Sequence, residues 1–184
     1  MKKNSKKMVA LLLALCLLIG GVVGGTIAYL VDKTNPVVNT FTTSDVDIEL
    51  KENTGTEYKM VPGATIAKDP TVTVKSGSEA CYVFVKVDAV NTTNYISYSI
   101  AEDWTLVDGQ SNIYYKTVDA ATAATGTSLP ILAGNQVTVL STVTKADMTE
   151  AEAAKPTLTF TAYAIQQEGF STPEAAWAEA SKLG

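Results

Sequence analysis

The sequence has no histidine and no arginine among its 184 residues, and it has only two cysteines. The absence of histidine excludes Ser-His-Asp and Cys-His nucleophile pairs, the HExxH zinc site and the usual general base at neutral pH. Carboxylate pairs such as Asp45 and Asp47 remain, but no spacing points to a catalytic dyad. Phosphate-binding glycine loops, CxxC motifs and internal repeats are also absent from the sequence. We therefore expect a protein that is not an enzyme and that uses no cofactor or metal.

The charge balance is acidic, with 14 lysines against 19 aspartates and glutamates and a formal net charge of −5. Nucleic acids and anionic lipid surfaces are bound mainly through clusters of lysine and arginine. An acidic chain without a single arginine therefore argues against both kinds of partner. The net charge chiefly favours solubility.

The N-terminus has the pattern of an export signal. Four lysines occur in the first seven residues, and an uncharged run of 24 residues then extends from Met8 to Val31. That run is long enough to span a bilayer, which needs about 20 residues. Its strongly apolar part, "VALLLALCLL", has the length of a signal h-region, which is about 7–15 residues. The small residues Thr26 and Ala28 fit the −3 and −1 positions of a cleavage site, so we expect cleavage between Ala28 and Tyr29.

This cleavage predicts a signal peptide over residues 1–28 and a mature chain from Tyr29 to Gly184. The mature chain keeps 10 lysines against 19 acids, a net charge of 10 − 19 = −9. The alternative is an uncleaved membrane anchor, because transmembrane helices tolerate the glycines at the end of the run. Only Cys81 remains after cleavage, in an apolar strand pattern that indicates a buried core residue. Stability outside the cell would then come from packing, a bound ion or assembly with other chains.

Alternating apolar and polar residues dominate the sequence from residue 46 onward and predict strands. The first such run alternates acidic and apolar residues: Asp45, Val46, Asp47, Ile48, Glu49 and Leu50. We interpret its acidic face as solvated; the alternative is a calcium site built from carboxylates. The longest run, "ACYVFVKVDA", predicts a central strand. With about eight strands at hairpin spacing, residues 45–184 predict an all-β domain, an antiparallel β-sandwich.

Turn residues separate these runs. Pro62-Gly63 is expected to end a strand at "YKMV", and Asp108-Gly109 to form a hairpin turn. The small-residue segment "DAATAATGTS" predicts a loop. The segment "ADMTEAEAAKP" predicts a short helical turn that Pro156 ends.

The C-terminal stretch "STPEAAWAEASKLG" changes to a helical pattern and predicts a short helix over residues 172–183. Two N-caps are open: Ser171 with Glu174 in a capping box, or Thr172 followed by Pro173 at the first helical position. Trp177 is the residue expected to dock this helix on its own domain; the alternative is that it anchors a partner.

The segment at residues 29–44 lies between the expected cleavage site and the first predicted strand of the domain. It contains two groups of apolar residues separated by Asn35 and Pro36: Tyr29, Leu30, Val31, Val37, Val38 and Phe41. Such a segment is expected to pair with a sheet edge. It either forms the first strand of its own domain or inserts into the next subunit as a donor strand.

Three motifs, in order and spacing, resemble one family of bacterial secreted proteins. "GGTIAYLVD" resembles the cleavage region of proteins processed by the SipW type of signal peptidase. "YKMVPGATIAKDPTVTVKSGSEACYVFVKV" resembles the block that follows in those proteins, and "TAYAIQQEGFSTPEAAWA" resembles the ending of many members. The resemblance extends over most of the chain, since the motifs lie between residues 24 and 178, and in these respects the chain is similar to the TasA and camelysin family.

The resemblance implies a jelly-roll-like sandwich exported through the Sec route of a Gram-positive-type bacterium. It also implies a fibre-forming protein of the biofilm matrix or cell surface, with a donor segment that begins at Tyr29 and includes Leu30, Val31 and Asp32. The implied partners are other copies of the chain, the SipW-type peptidase and an accessory matrix protein, with membrane contact only through the uncleaved precursor. The alternative function is a monomeric or membrane-tethered surface module that binds a host or carbohydrate ligand. The metalloprotease activity attributed to camelysin relatives does not carry over, because this chain has no histidine.

Overall fold

A computed structural model describes residues 45–55 and 57–183. The predicted signal peptide, its cleavage site and the 29–44 segment lie outside these ranges. The described residues are mostly β-strands in antiparallel sheets, accompanied by three short α-helices. The helices are α1 (Ala120–Thr125), α2 (Lys145–Ala154) and α3 (Pro173–Ala180).

Ten strands form three antiparallel sheets within these ranges. The first sheet has the order β1-β3-β8, with β1 (Ile48–Lys51), β3 (Thr71–Val74) and β8 (Thr127–Pro130). The second has the order β10-β4-β7-β6, with β4 (Cys81–Val90), β6 (Thr105–Leu106), β7 (Ile113–Val118) and β10 (Thr157–Gln166). The third has the order β2-β9-β5, with β2 (Thr65–Ala67), β5 (Ile96–Ser97) and β9 (Gln136–Val139).

Strand β4 is the centre of the second sheet, as its sequence predicts. It pairs with β10 over its whole length, from Thr157 opposite Val90 to Gln166 opposite Cys81. Its first five residues are buried, so side chains on both of its faces are removed from water. Cys81 is among them, and burial raises the pKa of its thiol to about 11. The prediction of a buried core cysteine is therefore confirmed.

The largest hydrophobic cluster takes side chains from both the first and the second sheet. Its fully buried members include Val72 and Val74 of β3 and Val83 and Val85 of β4. Trp104 closes one side of this cluster, and its indole Nε1 donates a hydrogen bond of 2.7 Å to a backbone oxygen of β8. The alternation of valines in the sequence thus corresponds to one shared core between two sheets.

The opposite face of the second sheet packs against α3. The Trp177 ring lies 5.3 Å, centroid to centroid, from both the Phe84 and the Tyr163 ring. Ala176 and Ala180, on the same helix, are completely buried in this second cluster. These contacts confirm that Trp177 docks the helix on its own domain.

The third sheet packs with α2 in a smaller cluster that includes Val139, Tyr95 and Ala151. Helix α2 begins at a capping box, in which the Thr144 hydroxyl accepts from the Asp147 backbone N–H and the Asp147 carboxylate accepts from the Thr144 N–H. The predicted single helical turn is therefore wrong: the helix has ten residues and ends at Lys155, which has a left-handed φ of 47°.

Three further sequence predictions differ from the structure. The described residues have ten strands where about eight were predicted, because the short strands β2, β6 and β8, with two to four residues each, have too few residues to produce a clear alternating pattern. The predicted strand "YKMV" is wrong, although its turn is confirmed: the Ala64 N–H donates to the Val61 oxygen at 2.9 Å, and Gly63 has a φ of 77°.

The segment predicted as a small-residue loop is helix α1. Asp119 caps it by accepting from the Thr122 N–H, and Gly126 ends it with a φ of 83°. The C-terminal helix, predicted over residues 172–183, spans Pro173–Ala180 and continues as a 3-10 turn, Ser181–Leu183. Its cap is Thr172, the second of the two alternatives, with a hydroxyl that accepts from the Ala175 N–H at 3.2 Å.

Candidate functional site

Strands β1 and β10 are both edge strands in the part of the chain that the structure describes. There β1 pairs only with β3, and β10 pairs only with β4. Cα atoms of the two strands approach within 8 Å, yet no hydrogen-bonded ladder joins them in the described ranges. Hydrogen-bonded neighbouring strands lie about 4.7–4.9 Å apart, whereas β1 and β10 are close but share no ladder in the described ranges. Two strand edges from different sheets therefore border the same side of the main core.

The core is only partly covered along these two edges. Leu50 of β1 and Phe160 of β10 pack against the main cluster but are half-buried, as are the other core-facing residues of the two strands: Ile48, Leu158, Ala162 and Ala164. Val83 and Val85, on the neighbouring strand β4, are completely buried. Burial of apolar surface is the main stabilising term in folding and association. The side of the core between β1 and β10 therefore offers apolar surface to an added segment.

A cavity of about 590 Å³ lies at the end of these edges, and we call it the edge groove. Its walls come from the end of β1, the start of β10, strand β2 and the segment around Tyr58. Most of the lining is apolar: Leu50, Met60, Ile66, Ile96, Val137 and Leu158. The groove therefore suits an apolar or extended occupant better than a highly charged one.

An ion pair lies inside this apolar groove. Lys68 is 9% exposed, and its Nζ donates to both carboxylate oxygens of Glu52 at 2.9 Å each. The same ammonium lies 5.3 Å from the centroid of the Tyr58 ring and 5.7 Å from that of the Phe160 ring. A cation over aromatic faces is further stabilised by the ring quadrupoles. The pair is thus a fixed polar feature among apolar walls.

The Glu52 carboxylate is held by further hydrogen bonds. Its Oε1 accepts from the Tyr58 hydroxyl at 2.5 Å and lies 3.2 Å from the Thr54 hydroxyl oxygen. Burial raises the pKa of the Tyr58 phenol, and its hydrogen bond to the Glu52 carboxylate raises the pKa further. The hydroxyl of Tyr58 is therefore protonated at neutral pH and has two acceptors for its hydrogen, Glu52 Oε1 and the Gly55 backbone oxygen.

Asp69 fixes the turn that carries Glu52. Its Oδ1 accepts from the Asn53 backbone N–H at 2.9 Å and from the Thr54 N–H and hydroxyl at 3.0 Å each. Partial burial opposes ionisation of Asp69, but these hydrogen bonds outweigh it and lower the pKa of the carboxyl. Asp69 therefore stays ionised and positions the glutamate beside Lys68.

Other acidic residues predicted as a possible metal array do not converge. Asp47 pairs with Lys75 at 3.0 Å, and Glu49 pairs with Lys51 at 2.9 Å, both on the surface. Within residues 45–55 and 57–183, no group of three or more Asp, Glu or Cys side chains is arranged to hold a metal ion. In the same ranges, every helix falls short of the length and apolarity needed to cross a bilayer.

The residues predicted for cleavage and strand donation lie outside the described ranges: Ala28, Tyr29, Leu30, Val31, Asp32, Val37, Val38 and Phe41. The groove residues Glu52, Tyr58 and Lys68 were not predicted from the sequence. Tyr58 and Lys68 lie in the block that resembles the TasA and camelysin family, but nothing in its pattern marks them as site residues, and Glu52 lies outside it.

Taken together, the site has two strand edges, a partly covered core and one internal ion pair. Open strand edges bind extended chains through backbone hydrogen bonds, while adjoining pockets take alternate side chains. The chain matches no family model, no curated protein and no solved structure.

Proposed function

We propose that the chain is a secreted, non-enzymatic structural protein that assembles into fibres of a bacterial biofilm matrix or cell surface. In this proposal the domain is a jelly-roll-like β-sandwich, and residues 29–44 of one copy insert into the edge groove of the next. Donor-strand exchange of this kind joins subunits through backbone hydrogen bonds along an edge strand. Its contacts are heterologous, so they extend into a filament unless the rotation between subunits closes a ring.

The observation that carries the proposal is the partly covered core between β1 and β10. Half-buried Leu50 and Phe160 give an added strand apolar surface to cover, and the outer edge of β10 can supply hydrogen-bonding groups. Edge strands left available in this way are templates for pairing with another chain. In the proposed fibre, this pairing of an edge strand with another chain is the contact that joins the subunits.

The donor segment and strand β10 have compatible lengths. Strand β10 has ten residues, and the 29–44 segment has sixteen. At about 3.3 Å per residue, ten residues of strand extend over roughly 33 Å. The donor segment is therefore long enough to follow the whole of β10, and Pro36 would interrupt its ladder once.

The test is assembly of the mature chain, Tyr29 to Gly184. We expect it to polymerise in solution, as seen by electron microscopy and sedimentation, whereas a chain without residues 29–44 stays monomeric. The matched control keeps the length of the segment and replaces its apolar residues with serine. Polymerisation that survives the deletion would refute the proposal.

A second candidate is a monomeric or membrane-tethered module that binds a host or carbohydrate ligand. The cavity of about 590 Å³ favours it, because ligand sites commonly measure about 300–1,000 Å³. A mature chain that stays monomeric at high concentration and binds on a glycan array would support this function. Mass spectrometry of the native N-terminus distinguishes the tethered form from the cleaved one.

A further inference from the structure

We propose that the Lys68–Glu52 pair receives the Asp32 carboxylate of the neighbouring copy and so sets the register of the inserted segment. This inference rests on the proposed function, because it concerns the same groove and the same segment. It adds a specificity-determining contact that strand insertion alone does not require.

The two members of the Lys68–Glu52 pair differ in how fully their hydrogen-bonding groups are used. A lysine ammonium has three N–H donors. In the described part of the chain, two of those of Lys68 go to Glu52 and the third has no protein acceptor. Glu52 is already supplied with donors, since both of its carboxylate oxygens accept from Lys68 and its Oε1 also accepts from Tyr58. The group that completes this cluster is therefore an acceptor, and a carboxylate makes the strongest such hydrogen bond to an ammonium.

The donor segment contains a single acid. Within residues 29–44 the charged residues are Asp32 and Lys33, which are adjacent in sequence. Neighbouring residues of a strand point to opposite faces, so only one of the two can face the groove. In the register with Asp32 inward, Leu30 is on the same face and meets the apolar wall.

A slip of one residue reverses this arrangement. It turns Lys33 toward the Lys68 ammonium and moves Asp32 to the outer face. In the slipped register the third N–H of Lys68 finds no acceptor on the inserted segment, which destabilises that pairing. Buried polar groups in an apolar interface are best known for this kind of register control. The groove thus rejects the wrong register as well as favouring the right one.

The test uses the mature chain and compares critical concentrations for polymerisation. Asp32→Asn is expected to raise the critical concentration about tenfold or more, because a charge-assisted hydrogen bond is lost. The matched control is Lys33→Gln, which removes the adjacent charge and is expected to change the value less than about twofold. In a Lys68→Met/Glu52→Gln background, Asp32→Asn should have no further effect. Far-ultraviolet circular dichroism and the melting temperature verify that this background is folded.

The outcomes separate the two proposals. If the wild-type mature chain stays monomeric, the proposed function fails and this inference fails with it. If the wild type polymerises but Asp32→Asn and Lys33→Gln behave alike, fibre formation stands and the Asp32 contact is wrong. An effect of Asp32→Asn that persists in the Lys68→Met/Glu52→Gln background also overturns the contact.

Discussion

Lys68 binds both carboxylate oxygens of Glu52 at 2.9 Å, and the two side chains are only 11% and 17% exposed. Removal of one partner from such a pair leaves the other charge buried without compensation. We expect Glu52→Gln to lower the free energy of unfolding by about 3 kcal/mol, measured by urea denaturation. Lys68→Met/Glu52→Gln should recover most of that loss, because no unpaired charge remains.

The control for this prediction is the surface pair between Asp47 and Lys75, whose side chains are 54% and 49% exposed at a distance of 3.0 Å. Exposed ion pairs contribute at most about 1 kcal/mol. Asp47→Asn is therefore expected to have a small effect. Equal losses for Glu52→Gln and Asp47→Asn would mean that the groove pair is solvated and not a buried feature.

Trp177 attaches α3 to the second sheet through its contacts with Phe84 and Tyr163. Trp177→Ala is expected to lower the free energy of unfolding by about 3 kcal/mol, because it removes aromatic packing from both rings. Trp177→Phe, the matched control, keeps an aromatic ring and should lose less than half as much. Near-ultraviolet circular dichroism and urea denaturation measure both effects. An unchanged Trp177→Ala variant would show that the helix does not depend on this contact.

Local patterns in the sequence predict the strands and the docked helix well. Strand β4 is an apolar run that changes to alternation at Lys86, and the change to helical spacing around Trp177 is equally clear. Helix α1 was not predicted, because its run of small residues was interpreted as a loop. Alanine nevertheless has the highest helix propensity, and Asp119 is a good N-cap.

The groove could not be predicted in the same way. Glu52 and Lys68 are 16 residues apart, and their contact depends on how the end of β1 meets the turn that precedes β3. Neither residue belongs to a periodic pattern, and the family-like block that contains Lys68 gives no sign of its pairing with Glu52. The openness of the core between β1 and β10 is likewise a property of strand order, which alternation does not specify.

Two adjacent residues at the start of α3 distinguish the cap alternatives. The Thr172 hydroxyl accepts from the Ala175 N–H, so Thr172→Ala is expected to cost about 1 kcal/mol of unfolding free energy. Ser171 lies outside the helix, and Ser171→Ala serves as the matched control with a change near zero. Urea denaturation of both variants makes the comparison. A larger loss for Ser171→Ala would instead favour the capping box with Glu174.

Asp69 is expected to make stability depend on pH in the acidic range. Its pKa in the folded protein is lower than the ordinary value for an aspartate, because partial burial is outweighed by the Asn53 and Thr54 donors. The ionised carboxylate therefore stabilises the fold fully above the unfolded pKa of about 4, and this contribution is lost as the pH falls through the lower folded pKa.

Asp69→Asn has no carboxyl to titrate, so its urea midpoint should lie below that of the wild type by a constant amount near neutral pH. The gap should then narrow as the pH falls below about 4. A gap that keeps the same size down to pH values near 2 would mean that ionisation of Asp69 does not hold the Glu52 turn.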